Sequence, residues 1–188
     1  MFLLIQLLLQ LQQLLLERSV KTGSFTLSSG ATSSYYVDAR RTTMTAKGQK
    51  LIGKACYERI IEVGWEATHI GGLTLGADPV SYAIAHHSYG AKGPTLDGLT
   101  VRKEAKGHGT GRQIEGGAPP GSKVVVLEDI VTTGKSAFLA IEAIEKASMV
   151  VTGVLCLVDR EEGGRASLEK RGLPFQAMFT KTQLLQHK

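Results

Sequence analysis

The sequence predicts an α/β fold, with a mainly parallel central sheet that carries helices on both faces. Segments with strand character alternate with segments of helical periodicity along the 188 residues, an order typical of parallel sheets with helical crossovers. The apolar runs Val124 to Leu127 and Val150 to Val158 are uninterrupted, as expected for strands that are buried on both faces. The length suffices for one full hydrophobic core. Ligands of such sheets bind at the carboxyl ends of the strands.

The first predicted element is a helix in the leucine-rich start, Met1 to Leu16. Gln6, Gln10, Gln13 and Glu17 form a narrow polar stripe on an otherwise apolar helix. The glutamines interrupt the run before it reaches the roughly 20 apolar residues of a spanning helix. The stripe also lacks the Lys and Arg that are typical of interfacial helices. We therefore expect the helix to pack against the protein or a partner subunit, with interfacial membrane binding as the alternative.

The later elements follow from periodicity and from turn residues. An Asp followed by Pro is a strong helix start, with Asp as N-cap. In chain order we predict short strands around Phe25 and over Ser33 to Asp38, a helix from Thr45 to Val63, a strand from Thr68 to Gly72, a helix with Asp78 as N-cap and Pro79 as its first residue, a strand over Leu99 to Val101, a loop from Gly107 to Gly121, the strand Val124 to Leu127, a helix marked by Phe138, Ile141 and Ile144, and the strand Val150 to Val158.

Composition favours a globular protein with anionic partners. Hydrophobic residues make up 43% and charged residues 21%, and 22 Lys and Arg against 17 Asp and Glu leave a net charge of +5. The basic residues are scattered without an interleaved aromatic series, so phosphorylated small molecules are favoured over nucleic acid. Cys56 and Cys156 lie far apart and are predicted to be structural thiols.

The segment from Val124 to Ala147 carries the chemistry. Its strand is predicted to deliver Glu128 and Asp129 to an exposed carboxyl end, followed by a short loop from Ile130 to Gly134 and a helix. The free N–H groups at the start of that helix, from Thr132 to Ser136, form an anion site. Carboxylates can bind sugar hydroxyls, and backbone amides can bind a phosphate. Their placement side by side therefore predicts a phosphorylated ribose as ligand.

Two other interpretations of this segment are weaker. Gly134, Lys135 and Ser136 imitate the end of a nucleotide-triphosphate P-loop, but that motif requires glycine where the chain has Asp129. A carboxylate there would repel the phosphates. An ordinary surface turn with acidic residues is the second alternative, because turns favour Asp and Gly.

The strand, the acidic pair and the TTGKS loop resemble the phosphoribosyl diphosphate motif of the type I phosphoribosyltransferases. Three further segments resemble the orotate phosphoribosyltransferases within that family, and the resemblance covers roughly residues 20–185. VRKEAKGHG at 101–109 resembles their mobile catalytic loop, GSFTLSSG at 23–30 their N-terminal hood, and LVDREEGG at 157–164 the strand end that holds the base. The resemblance does not explain the leucine-rich start of the chain.

The resemblance implies transfer of phosphoribose from 5-phosphoribosyl 1-diphosphate to orotate, with release of orotidine 5′-monophosphate and pyrophosphate. It also implies Mg²⁺ carried mainly by the donor, a homodimer with shared active sites and a cytoplasmic location. One domain is expected over 1–188, with the N-terminal helix and hood in 1–40, the core in 41–188 and a mobile loop at about 102–117, here called the lid.

Residue roles follow from the same resemblance, position by position. For the donor, Glu128 and Asp129 hold the ribose hydroxyls, the stretch Ile130, Val131, Thr132, Thr133, Gly134, Lys135 and Ser136 holds the 5′-phosphate, Thr74 and Leu75 belong to the pyrophosphate loop GLTLG at 72–76, and Arg102, Lys103, Lys106 and His108 are the lid cations. For orotate, the residues are Arg160, Thr132 and the backbone of Tyr36 and Val37. Asp129, Lys103, Lys106 and His108 are the predicted catalytic residues, and no side chain is assigned directly to the metal.

The chain departs from some members of the family at Ser28 and Leu75, where they carry lysine. Alternatives remain for the function: a purine phosphoribosyltransferase, or a regulator that senses the donor without catalysis, since fold alone does not fix function. The lid cations could also be a solvated charge run, and Arg160 a surface ion-pair residue.

Overall fold

The computed structural model describes residues 2–26, 32–104 and 113–186. Lys106, His108 and Ser28 therefore lie outside the described residues. The elements in chain order are α1 (Phe2–Arg18), β1 (Val20–Thr26), β2 (Thr32–Val37), α2 (Arg40–Thr43), α3 (Ala46–Glu62), β3 (His69–Leu73), α4 (Ala77–Tyr89), β4 (Asp97–Val101), β5 (Ile114–Glu115), β6 (Lys123–Val131), α5 (Lys135–Lys146), β7 (Val150–Asp159), α6 (Gly164–Lys170), β8 (Phe175–Thr180) and α7 (Lys181–Leu185).

The strands form a small hairpin and a central sheet. β1 pairs antiparallel with β2, and the central sheet has the order β5-β4-β3-β6-β7-β8 in the described part of the chain. All neighbours in the central sheet are parallel except β4 and β5. The predicted α/β class with a mainly parallel sheet is confirmed. The carboxyl ends of β3, β6 and β7 consequently meet at one edge.

Two hydrophobic clusters cover the two faces of the sheet. Along β6, Val125 and Leu127 belong to the cluster beneath α1, α3 and α4, whereas Val124 and Val126 belong to the cluster beneath α5. Because side chains alternate between faces along a strand, a strand buried on both sides must be apolar at every position. This explains the uninterrupted run in the sequence. Cys56 and Cys156 are both buried and unpaired.

Helix α1 packs against the protein, as predicted. Leu7, Leu11, Leu14 and Leu15 are buried in the first cluster, at the spacing of one helical face. The glutamine stripe is exposed on the other side, together with three apolar side chains, Leu3, Ile5 and Leu9. No helix among the described residues is long and apolar enough to cross a bilayer.

The prediction that Asp78 caps α4 is wrong. The helix begins at Ala77, and Gly76 is its N-cap. The carboxylate of Asp78 instead accepts hydrogen bonds from the hydroxyls of Thr74, at 2.7 Å, and of Thr100, at 2.8 Å. Pro79 is tolerated at the third helical residue, because the first four N–H groups of a helix have no partner within the helix.

Strand β6 is longer than predicted, because it continues past Leu127 to Val131. Ile130 and Val131 pair with Val158 and Asp159 of β7, so the loop before α5 is shorter than Ile130 to Gly134. The predicted loop from 107 to 121 also contains a short strand, β5, which pairs with β4.

Candidate active site

The acidic pair lies near the carboxyl end of β6. Glu128 is only 5% exposed, opposite Cys156 on β7, so the prediction that both carboxylates lie exposed is wrong for this residue. Its Oε1 atom has no hydrogen-bond partner among the described residues. Burial, with the neighbouring charge of Asp129 as a smaller cause, raises the pKa of Glu128 to about 8. Burial therefore favours the protonated form of this side chain.

Asp129 is partly buried, and its carboxylate is fixed by the backbone of the next residue. Its Oδ1 atom accepts a hydrogen bond from the N–H of Ile130 at 2.9 Å. Burial raises the pKa of Asp129, while the Ile130 N–H and the positive charge of Arg40 act in the opposite direction. Arg40 is itself paired with Asp38 at 2.8 Å. Sequence reasoning missed this pair, which lies between the end of β2 and the start of α2.

The raised pKa of Glu128 predicts a pH-dependent stability difference between the wild type and Glu128→Gln. A carboxyl whose pKa rises from 4.5 to about 8 on folding binds its proton more tightly in the folded state. Its contribution to the free energy of unfolding therefore falls by about 1.4 kcal/mol per pH unit between those values, and stays constant above about 8. Glutamine does not titrate, so the variant does not lose this stability. Its free energy of unfolding should therefore rise relative to that of the wild type as the pH increases from 5 to 8.

Denaturant unfolding at several pH values measures this difference. Glu142→Gln, on the exposed face of α5, is the matched control for the substitution itself. A constant difference between Glu128→Gln and wild type from pH 5 to pH 9 would show that Glu128 is not protonated in the folded protein.

The loop predicted to bind the 5′-phosphate, here called the phosphate loop, connects β6 to α5 and comprises residues 132–134. Gly134, the N-cap of α5, has φ +85°, a backbone conformation that glycine adopts at no steric cost. The carbonyl of Thr132 accepts from the N–H of Gly164 at 2.9 Å, which ties the loop to α6. Thr133 is exposed. Seven residues predicted to bind the donor line one cavity of about 40 Å³ with Ala137: Glu128, Ile130, Val131, Thr132, Gly134, Lys135 and Ser136.

The predicted pyrophosphate loop lies directly against the acidic strand end. A Cβ atom built on Gly76 would stand 2.6 Å from Oδ1 of Asp129, so a larger residue would fit only if the Asp129 side chain rotated away. The Thr74–Leu75 peptide bond is cis. The Thr74 hydroxyl is fixed by Asp78, whereas Leu75 is 55% exposed. The structure thus brings together residues that are more than fifty positions apart in the sequence.

The described ends of the lid are joined at its base. The N–H of Arg102 donates to the carbonyl of Gln113 at 2.9 Å, and the Gln113 side chain donates back to the carbonyl of Arg102 at 3.1 Å. The guanidinium of Arg102 pairs with Glu115 at 3.4 Å. Lys103 follows with an exposed side chain. These contacts anchor both ends of the predicted lid beside β4.

Arg160 lies at the end of β7, close to the hairpin. Its side chain is 15% exposed, and its Nη2 atom is 2.8 Å from Oε1 of Glu162 and 3.5 Å from the hydroxyl of Tyr35. Its guanidinium also lies over the Tyr35 ring, 5.4 Å from the centroid. Tyr36 is exposed and Val37 is buried in β2.

Sequence reasoning named Tyr36 and Val37 but missed Tyr35. The alternation of a strand could have indicated it, because neighbours in a strand point to opposite faces. Lys181 also stands 5.9 Å from the centre of the Tyr35 ring, which therefore has two cations beside it.

The parallel sheet, the acidic strand end and the phosphate loop together define a type I phosphoribosyltransferase. An orotate phosphoribosyltransferase of Aquifex aeolicus is 49% identical over 179 residues, 94% of this chain and 96% of that protein. The chain belongs to the orotate phosphoribosyltransferase family. No family model matches it.

Solved structures of orotate phosphoribosyltransferase from Mycobacterium tuberculosis H37Rv have the same fold. The complex with Fe(III) dicitrate is 40% identical with a TM-score of 0.84, and the match covers 95% of this chain and 98% of that chain. The complex with 5-phospho-alpha-D-ribosyl 1-diphosphate is 36% identical with a TM-score of 0.78 and the same coverage. The resemblance found in the motifs thus extends over nearly the whole chain.

Proposed function

We propose that this chain transfers phosphoribose from 5-phosphoribosyl 1-diphosphate to orotate, giving orotidine 5′-monophosphate and pyrophosphate. The observation that carries the proposal is the contact of the Gly76 loop with Asp129, next to the phosphate loop before α5. A donor with a 5′-phosphate at one end and a diphosphate at the other needs these three features in one place. Membership of the family and the donor complex of a relative support the same assignment.

The chemistry requires charge stabilisation on both sides of the breaking bond. The anomeric carbon passes through an oxocarbenium-like state as pyrophosphate leaves. Asp129 supplies negative charge close to the ribose, which stabilises the positive charge that develops there. Glu128 lies next to Asp129 on β6 and binds a ribose hydroxyl beside it. The N–H groups of Thr132 to Ser136 bind the 5′-phosphate at the start of α5.

The leaving pyrophosphate meets the two glycine-rich segments. Thr74 and Leu75 offer the backbone of the loop after β3, and Arg102, Lys103, Lys106 and His108 supply positive charge from the lid. At the other end, Arg160 binds the orotate carboxylate with a guanidinium fork, while Thr132 and the backbone of Tyr36 and Val37 complete the base site.

A divalent ion, Mg²⁺, is proposed to arrive with the donor. Mg²⁺ prefers oxygen ligands and is held in many enzymes by substrate phosphates with few protein groups. The donor's diphosphate offers oxygen ligands of this kind, and no side chain of the chain is assigned directly to the ion. When bound, the ion neutralises the charge of the leaving pyrophosphate.

We also propose a homodimer with shared sites and a cytoplasmic location. The lid is rich in glycine and carries the cations Arg102, Lys103, Lys106 and His108, and a two-fold dimer can present these cations with an anionic target on the other subunit. Both cysteines are unpaired and buried, which suits a reducing compartment.

A panel of acceptor bases tests the proposed function. With the donor and Mg²⁺, the purified protein should release pyrophosphate with orotate, and much more slowly with uracil, adenine or hypoxanthine, because Arg160 favours a carboxylate. Omission of the divalent ion should abolish turnover. Use of adenine or hypoxanthine with orotate left untouched would identify a purine enzyme, and binding of the donor without turnover of any base would identify a regulator.

A further inference from the structure

We propose that Glu162 pairs with the Arg160 guanidinium in the free protein and is displaced when the orotate carboxylate binds. The strength of this pair then limits the affinity for orotate. The inference rests on the proposed function, in which Arg160 receives that carboxylate. Glu162 lies within the segment LVDREEGG, but the resemblance assigned no individual role to it. Glu162 therefore acts as an internal competitor of the substrate.

The geometry of the pair is that of a carboxylate bound to a recognition arginine. Oε1 of Glu162 lies 2.8 Å from Nη2 of Arg160. The Tyr35 hydroxyl lies 3.5 Å from each of these two groups and can donate to the carboxylate. A substrate carboxylate at Arg160 would meet the same guanidinium and the same hydroxyl. Glu162 thus imitates the anionic end of orotate.

The difference in exposure decides which partner moves. The Arg160 side chain is 15% exposed and lies over the Tyr35 ring, whereas the Glu162 side chain is 38% exposed. Arg160 therefore stays enclosed while Glu162 can rotate into water, where its charge is solvated. Displacement costs little, since an ion pair with one exposed partner contributes only modestly.

The bonding capacity of Arg160 favours the substrate over the internal carboxylate. Its Nε atom is buried and has no hydrogen-bond partner among the described residues, so Glu162 does not use the full fork of the guanidinium. A carboxylate that takes Nε and Nη2 together forms the stronger bidentate pair. A base without a carboxylate, such as uracil, has no group with which to displace Glu162.

The two other acidic residues of this segment have partners elsewhere and do not compete for Arg160. Glu161 accepts hydrogen bonds from the N–H and hydroxyl of Thr182 at 2.9 and 2.6 Å, so its carboxylate is committed to the start of α7. Asp159 accepts from the N–H of Glu161 at 2.8 Å and pairs with Arg165 at 3.2 Å. Of these three acidic residues, Glu162 is the one paired with Arg160.

Glu162→Gln tests the inference because it keeps the shape of the side chain and removes the charge. Its KM for orotate should fall about two- to fivefold, which corresponds to the loss of one modest ion pair. Its KM for the donor should stay unchanged. Calorimetric titration of the free protein with orotate should show the same gain in affinity, independently of turnover. Thermal unfolding of each variant checks that the fold is retained.

Glu169→Gln is the matched control, because Glu169 pairs with Arg165 at 3.6 Å on the exposed side of α6. It makes the same change of net charge and should leave the orotate KM unaltered. An equal fall in both variants would show a general charge effect and overturn the inference. An orotate KM that is unchanged or higher in Glu162→Gln would also overturn it. If the wild type itself does not use orotate, the proposed function fails instead.

Discussion

Asp129→Asn is expected to lower kcat by about 10²–10³ while the fold is retained, the loss typical of one preorganised electrostatic group. The hydrogen bond from the Ile130 N–H to Oδ1 of Asp129, 2.9 Å long, can be kept by the amide oxygen of asparagine. The substitution therefore removes negative charge beside the ribose and little else. Steady-state turnover at saturating orotate and donor measures the effect, with thermal unfolding as the check on folding.

Asp97→Asn is the matched control for this substitution. Asp97 is exposed at the start of β4, at the edge of the sheet opposite the acidic pair, and its replacement should leave kcat close to wild type. A well-folded Asp129→Asn variant with near-normal kcat would remove Asp129 from the mechanism and leave the charge at the anomeric carbon without a protein partner.

Mixed dimers of two inactive variants should recover about a quarter of the wild-type activity. Lys106→Ala and Asp129→Asn are each expected to be nearly inactive alone. If the lid of one subunit closes over the site of the other, a mixed dimer has one site with both lesions and one with neither. Random pairing makes about half of the dimers mixed, so about a quarter of all sites are intact. Unfolding the two together, refolding them and measuring orotate turnover gives this fraction.

The same experiment separates the trans arrangement from a lid that acts within its own chain. In the second case every site carries one lesion, and the refolded mixture stays as inactive as its parents. Subunit exchange is confirmed by placing different affinity tags on the two variants and recovering both tags in one complex. Each variant refolded alone is the control for recovery during the procedure.

The sheet could be predicted because its signals are local. The apolar run from Val124 shows a strand buried on both faces without knowledge of its neighbours, and the helical spacing of Ile141 and Ile144 is equally local. The end of β6 could not be predicted, because it depends on pairing between Val131 and Asp159. The start of α4 was misplaced for a similar reason, since the hydroxyl of Thr100 reaches the acidic residue from another strand.

The same distinction holds for the candidate site. The predicted donor motif is a continuous segment, and most of its residues line one cavity, so one short pattern sufficed to predict that they lie together. The base end is built from a hairpin and a loop, with Tyr35 and Arg160 separated by 125 positions. No spacing relates residues so far apart, and the contacts of Arg40 and Glu162 became visible only from the structure, whereas Tyr35 could have been inferred from the alternation of β2.

The contact between Gly76 and Asp129 limits how this chain can vary. A methyl group at position 76 would meet the carboxylate at 2.6 Å, and the end of the aspartate side chain would rotate away more readily than the backbone would shift. We expect a protein with alanine there to fold with the Asp129 carboxylate turned away from its present position. With Asp129 in its proposed role, mutational tolerance at position 76 should then be limited by catalysis rather than by stability.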